Sequence, residues 1–124
     1  MFKLVLIDDE DDWLDILKTL LTSMELDLEI KKFSSVSEAH TYLSAEKDVD
    51  LIIADYLFPE EMTGLDLYYK LVEEKNTIRF FLISNSKIPE DKIKELAQRK
   101  IVYLPKTYLV VKNFINKYLV DFVR

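Results

Sequence analysis

The chain has 124 residues, of which 49% are apolar and 32% are charged, and these values predict a single globular domain over residues 1–124. It has no cysteine, which excludes disulfides and thiolate metal sites, and a single glycine, which excludes glycine-rich phosphate-binding loops. The formal net charge of −6 disfavours direct contact with nucleic acid. The sequence has no signal peptide and no run of about eighteen apolar residues, so we expect a cytoplasmic protein that does not enter a membrane.

The first part of the chain predicts two strands and two helices. Residues 4–7 form an apolar run, and apolar side chains between residues 13 and 24 recur every three or four positions, which is typical of an amphipathic helix. Residues 26–30 alternate between apolar and charged side chains, as in an edge strand with one solvent-facing side. Ser35 begins a capping box and predicts a second helix that continues to Leu43.

The rest of the chain continues the alternation of strands and helices. Uninterrupted apolar runs of four residues are typical of strands that are buried on both faces, as in a parallel sheet covered by helices. The pattern therefore predicts an α/β fold with five strands and five helices. The remaining elements are strands at 51–54, 80–83 and 101–104, and helices at 65–73, 89–99 and 108–122.

Polar side chains follow four of the predicted strands. Asp8 and Asp9 come directly after the first strand, Asp55 after the third, and Ser84 after the fourth, while Lys106 lies just beyond the fifth. The carboxyl ends of parallel strands share one edge of the sheet, and that edge carries the binding crevice of open α/β sheets. These side chains are therefore expected to converge on one pocket.

The residue types at this edge match the needs of phosphoryl transfer to a carboxylate. Three neighbouring carboxylates repel one another unless a cation or protons intervene, and Mg²⁺ prefers such oxygen ligands. Lys106 and Ser84 could donate to phosphoryl oxygens, and Asp55, at the end of the central strand, is the best candidate nucleophile. Taken singly, each residue also has a structural explanation, such as an acidic helix entry or a turn. Their shared position favours one site.

These residues resemble the receiver domain of bacterial response regulators, and residues 55–67 resemble the phosphorylation-site loop of that family. The resemblance implies a flavodoxin-like, doubly wound sheet of five parallel strands in the order 2-1-3-4-5. It also implies that Asp55 accepts a phosphoryl group from a histidine kinase or a histidine phosphotransfer protein. By the same resemblance, Asp9, Asp55 and the main-chain carbonyl of Leu57 would ligate Mg²⁺, with Asp8 acting mainly through a metal-bound water.

The resemblance further implies that Ser84 and Lys106 bind the phosphoryl oxygens and that Tyr103 is the switch aromatic. We expect a stand-alone receiver that alters the binding of a downstream protein and is not an enzyme, apart from assisting its own phosphorylation and dephosphorylation. The apolar last helix predicts a partner surface or a homodimer surface, because only one side of it can face the sheet. Its apolar residues are Leu109, Val110, Val111, Phe114, Ile115, Tyr118, Leu119 and Phe122.

Three features depart from the pattern of the family. The family usually has a proline after the lysine, often with a cis bond, whereas Thr107 follows Lys106 here and Pro105 precedes it. A cis bond before Thr107 would cost about 3–4 kcal/mol. Gly64 lies one residue later than usual, which indicates a one-residue insertion in the loop. Asn85 occupies a position where a small residue is usual, so its amide is expected to crowd the pocket.

Other functions remain as alternatives. A receiver-like interaction module that is never phosphorylated would keep the same fold and bind its partners constitutively. A phosphatase of the haloacid-dehalogenase type needs a second aspartate two residues after the nucleophile, where this chain has Leu57. A flavodoxin needs a phosphate-binding first loop, and Asp8, Asp9 and Glu10 would repel a phosphate there.

Overall fold

The computed structural model describes residues 1–85 and 87–123, without the side chains of 122 and 123. Strands and helices alternate through these residues, and the strands form one parallel sheet in the order β2-β1-β3-β4-β5. The predicted fold and strand order are therefore confirmed. The strands are β1 (Phe2–Ile7), β2 (Leu28–Phe33), β3 (Leu51–Asp55), β4 (Arg79–Ser84) and β5 (Val102–Pro105). The helices are α1 (Asp11–Ser23), α2 (Val36–Ala45), α3 (Gly64–Glu73), α4 (Glu90–Gln98) and α5 (Tyr108–Val123).

The sheet has a hydrophobic core on each face because successive strand residues point to opposite sides. On one face, Val5 and Ile52 pack in a cluster with side chains of α2, α3 and α4. On the other face, Leu6 and Ile53 pack with side chains of α1 and α5. With both faces covered by helices, the carboxyl-terminal edge of the strands is where polar groups can meet solvent and ligands.

The bounds of β2 differ from the prediction. The strand spans Leu28–Phe33 rather than residues 26–30, in register with β1 from the pair Phe2–Leu28 to the pair Ile7–Phe33. Before it, the chain turns at Glu25, which has a positive φ of 55°. The strand lies at the sheet edge as predicted, but Lys31 and Lys32 are charged and exposed, so the alternation of apolar and charged residues is interrupted before the strand ends at Phe33.

Helix α5 buries one side and leaves its first turn exposed. Val111, Ile115 and Leu119 are buried, whereas Leu109 is 64% exposed and Val110 is 40% exposed. The expectation that part of this apolar helix faces outward is therefore confirmed for its first turn; the side chain of Phe122 lies outside the described residues. Across the described part of the chain, the helices lack the combination of length and apolar character needed to cross a bilayer.

Gly64 allows α3 to begin directly against the end of β3. A Cβ atom at this position would lie 2.1 Å from the carbonyl oxygen of Asp55, a distance at which the backbone must shift. The Gly64 N–H donates to the carbonyl of Tyr56, and a capping box between Thr63 and Asp66 fixes the first turn of the helix. The single glycine of the chain thus sets the position of the strand end that carries Asp55.

The substitution Gly64→Ala is expected to lower the free energy of unfolding by about 1–3 kcal/mol, because the added methyl group overpacks against the β3 backbone. Urea denaturation at equilibrium measures this change. Glu90→Ala provides the control, since Glu90 is the first residue of α4 and is exposed; its effect should stay within about 0.5 kcal/mol. Equal stability of Gly64→Ala and the wild type would contradict the proposed close approach.

Candidate functional site

The strand ends bring the predicted residues to one edge of the sheet. Asp8 directly follows β1, and Asp55 and Ser84 are the last residues of β3 and β4. Asp55 pairs with Ile83, the residue before Ser84, so Asp55 and Ser84 lie at the ends of adjacent strands. Lys106 follows β5, and its N–H donates to the carbonyl of Ser84 at 3.0 Å. This hydrogen bond fixes the lysine backbone beside the end of β4.

Asp8, Asp9 and Asp55 form the acidic cluster that the sequence predicts. One carboxylate oxygen from each lies within 4.8 Å of the others. Asp8 and Asp55 are only 2% and 8% exposed, whereas Asp9 faces solvent. Oxygens that share a Mg²⁺ ion lie at most about 4 Å apart, so a small closure of the cluster would suffice to bind one. The donor set, three hard carboxylate oxygens with one side open to water, fits this ion.

The ammonium of Lys106 lies within the acidic cluster, with its side chain only 2% exposed. Its Nζ is 2.8 Å from one carboxylate oxygen of Asp8 and 3.1 Å from the other. It is 3.6 Å from the nearer oxygen of Asp55, an ion pair that is too long to be a hydrogen bond. Lys106 is therefore bound tightly to Asp8 and only loosely to Asp55.

Burial raises the pKa of Asp55 to about 6, and the nearby charge of Asp8 adds to the shift. Lys106 opposes this effect only in part. Burial likewise raises the pKa of Asp8 above its usual range, although its hydrogen bond with Lys106 acts in the opposite direction. Burial by itself would lower the pKa of Lys106, but hydrogen bonds to Asp8 and Glu10 outweigh it and raise the value. The cluster thus holds more negative charge than its single ammonium neutralises.

Two residues at the start of α1 complete the pocket, although the sequence pattern predicted neither of them as part of it. Glu10 forms an ion pair with Lys106 at 2.5 Å. Trp13 is buried in the core as its position on the apolar stripe indicates, but Lys106 Nζ also lies 5.5 Å from the centroid of its indole ring. Both residues closely follow a strand-end acidic pair, but this position in the sequence does not by itself fix their contacts with Lys106.

The loop after β3 is held from both sides. The Tyr56 N–H donates to a carboxylate oxygen of Asp55 at 2.8 Å, which orients that side chain. Further along the loop, Glu60 accepts hydrogen bonds from the N–H groups of Val36 and Ser37 at the start of α2. Although partial burial opposes the effect, these hydrogen bonds hold the pKa of Glu60 below its usual range. The loop is thereby tied to a neighbouring helix.

The remaining predicted residues lie around this pocket. Leu57 is 49% exposed in the loop after β3, and Ser84 is buried at the end of β4. Tyr103 is half-buried on β5 and packs on the face that carries α2, α3 and α4. Asn85 is exposed. The bond before Thr107 is trans, as are the other peptide bonds of the described residues.

Comparisons with known proteins agree with these features. A family model described as the response regulator receiver domain matches residues 4–115. The two-component response regulator ORR13 of rice (Oryza sativa subsp. japonica) is 33% identical over 69 residues. The match covers 54% of this chain and 56% of the rice protein, so it spans little more than half of each.

Several solved structures have the same fold. The receiver domain of the histidine kinase CKI1 from Arabidopsis thaliana, crystallised with Mg²⁺, has a TM-score of 0.78 and 16% identity, with 94% of this chain and 91% of that chain covered. A receiver domain protein from Clostridium thermocellum has a TM-score of 0.74 and 21% identity, with 98% and 96% covered. An N-terminal domain from Wolinella succinogenes has a TM-score of 0.81 and 19% identity, with 98% and 94% covered.

The substitution Asp55→Asn is expected to stabilise the metal-free protein at neutral to alkaline pH. The native pKa of about 6 lies above the ordinary value of 3.8, so the folded state binds more protons than the unfolded state between these values. Folding stability therefore falls as the pH rises through this range. The amide of asparagine does not ionise, so the variant does not lose stability in this way. Its free energy of unfolding should exceed that of the wild type by about 1–3 kcal/mol near pH 8, and by less towards pH 4.

Urea denaturation in the presence of a chelator measures this difference across the pH range. Asp12→Asn is the matched control, because Asp12 is an exposed acid on the first turn of α1; its effect should stay within about 0.5 kcal/mol. An Asp55→Asn variant that is less stable than the wild type near pH 8 would contradict the described electrostatics of the pocket.

Proposed function

The chain belongs to the response regulator receiver domain family, and we propose that it is a phosphorylation-dependent switch in which Asp55 accepts a phosphoryl group. The observation that carries this proposal is the placement of Asp55. The residue is 8% exposed, and its carboxylate lies within 4.8 Å of the carboxylates of Asp8 and Asp9 and forms an ion pair with Lys106. An acid placed in this way has both a metal-binding surface and a cation for the incoming charge.

The proposed step is a displacement at phosphorus. A carboxylate oxygen of Asp55 attacks the phosphoryl group of a phosphohistidine on a histidine kinase or phosphotransfer protein. An O–P bond forms and the P–N bond breaks, with the electron pair left on the imidazole nitrogen. Lys106 and Ser84 donate to the phosphoryl oxygens and so stabilise the charge that develops on them. Hydrolysis of the acyl phosphate by water would return Asp55 to its carboxylate form.

Mg²⁺, when bound, would neutralise carboxylate charge and polarise the phosphoryl oxygens. We assign its protein ligands to Asp9, Asp55 and the main-chain carbonyl of Leu57, with Asp8 acting mainly through a bound water. The exposure of Asp9 and the loop position of Leu57 support this division of roles, because both leave room for water on the open side of the cluster.

The new charge at Asp55 would change the positions of the ends of β4 and β5. Ser84 ends β4, and the lysine backbone is hydrogen-bonded to it, so a shift of Lys106 towards a phosphoryl oxygen would draw these two strand ends together. We propose that Tyr103, on β5, moves with them and changes the binding of a downstream protein. The exposed first turn of α5 is a candidate surface for that partner or for a homodimer. A cytoplasmic location stays our prediction.

A constitutive interaction module is the second candidate. It is favoured by the existing contacts of Lys106, whose short hydrogen bonds already go to Asp8 and Glu10 rather than towards Asp55. In such a module the ammonium would stay in place and Asp55 would not be modified. Two results together would favour it: no binding of beryllofluoride, and unchanged affinity for a partner when Asp55 is replaced by alanine.

Incubation with Mg²⁺ and acetyl phosphate is expected to add the mass of one phosphoryl group to the wild type, as measured by intact mass spectrometry. The Asp55→Asn variant should gain no such mass, because its amide cannot act as the nucleophile. Asp12→Asn, which removes an exposed acid of α1, should be labelled like the wild type. Label that persists in Asp55→Asn would show that Asp55 is not the acceptor.

Mg²⁺ is expected to stabilise the wild type against urea, by about 2.7 kcal/mol when its concentration is 100 times the dissociation constant. Asp9→Asn should lose most of this gain, because it removes a proposed ligand without emptying the buried part of the cluster. Asp12→Asn again provides the control for the loss of one negative charge. If Asp9→Asn kept the full stabilisation by Mg²⁺, the proposed ligand set would be wrong.

A further inference from the structure

The contacts of Lys106 are distributed unevenly over the carboxylates around it. Its ammonium has three N–H donors. They are directed to Asp8 and to Glu10, and Asp55 is the most distant of the three acidic partners, at 3.6 Å. A phosphoryl oxygen on Asp55 would need one of these donors. One existing hydrogen bond must therefore be given up when the phosphoryl group arrives.

Glu10 is the partner that can be released most easily. Its side chain is 56% exposed, whereas that of Asp8 is 3% exposed. A carboxylate that returns to water recovers its hydration, but a buried one left without a cation does not. Exchange of Glu10 for a phosphoryl oxygen therefore costs less than exchange of Asp8.

The backbone of Glu10 is held while its side chain remains free to move. Its N–H donates to Asp8 at 2.9 Å, and its carbonyl accepts from the N–H of Leu14 in the first turn of α1. Its side chain makes no capping hydrogen bond to the helix. The side chain can therefore swing away from Lys106 without unwinding α1.

Trp13 restricts where the ammonium can go. It lies three residues after Glu10, on the same side of the helix start, and its ring lies beside Lys106 Nζ. A cation is held favourably beside an indole ring, but the ring offers no strong acceptor. The movement left to Lys106 is from Glu10 towards Asp55.

We propose that Glu10 is a latch on Lys106 and a positioning residue for the phosphoryl site. In the resting protein Glu10 holds the ammonium on the Asp8 side of the pocket. When a phosphoryl group is added to Asp55, Lys106 leaves Glu10 for a phosphoryl oxygen, while Asp8 and Trp13 keep it within the pocket. The strength of the Glu10 contact thus sets how readily the phosphorylated state forms. This inference rests on the proposed function of Asp55.

The test is the affinity for beryllofluoride, a phosphoryl mimic, at saturating Mg²⁺, measured by ¹⁹F NMR and by the fluorescence of Trp13, the single tryptophan of the chain. Glu10→Gln keeps the size of the side chain and removes its charge. It should bind the mimic about tenfold more tightly than the wild type, because Lys106 no longer has a competing charged acceptor. Asp12→Asn, with the same loss of charge two residues further along the chain, should change the affinity by less than about threefold.

A double-mutant cycle with Lys106→Met separates a latch from a general effect of charge. If Glu10 acts through Lys106, Glu10→Gln should have no more effect than Asp12→Asn in the Lys106→Met background. The affinity for Mg²⁺ alone should change equally in Glu10→Gln and Asp12→Asn.

Three negative results are informative. Equal effects of Glu10→Gln and Asp12→Asn on the affinity for the mimic would overturn the latch and leave the proposed function intact. A wild-type protein that does not bind the mimic at all would overturn the proposed function and the latch with it. If Glu10→Gln still increased the affinity for the mimic in the Lys106→Met background, that result would also overturn the latch.

Discussion

The buried ammonium of Lys106 is the charge on which the acidic edge of the sheet depends. Asp8 and Asp55 are almost fully buried, and burial together with the charge of Asp8 raises the pKa of Asp55. A buried carboxylate needs a paired cation, and Lys106 supplies one from the end of β5, where its backbone is anchored to β4. One ammonium does not balance the negative charge around it. The pocket is therefore suited to receive a divalent cation.

Much of the fold could be predicted from the sequence because the central strands are buried on both faces. Their apolar runs are uninterrupted, as residues 4–7 and 51–54 illustrate, and such runs leave few alternatives to a parallel sheet. The bounds predicted for the edge strand were wrong because only part of it is buried: the charged, exposed Lys31 and Lys32 interrupt the apolar alternation before the strand ends at Phe33. Its bounds are set by pairing with β1, which is a contact distant in sequence.

The candidate site was predictable to the extent that it follows from strand direction. Asp8, Asp55 and Lys106 meet because the strands before them are parallel. Glu10 could not be assigned in the same way, since an acid at the start of a helix has a sufficient explanation in the helix dipole. Trp13 could not be assigned either, because it belongs to the apolar side of the amphipathic first helix and is explained by core packing. Their contacts with Lys106 depend on how closely α1 packs over the strand ends, which spacing alone does not fix.

The central claim is that the carboxylates of Asp9 and Asp55 share a metal site beside Lys106. Crystals grown with Mn²⁺ in place of Mg²⁺ test it directly, because the anomalous signal of manganese locates the ion. The expected result is one peak within about 2.2 Å of an oxygen from each of these carboxylates, with Lys106 still next to Asp8. A peak elsewhere on the protein, or a Lys106 side chain directed into solvent, would contradict the claim.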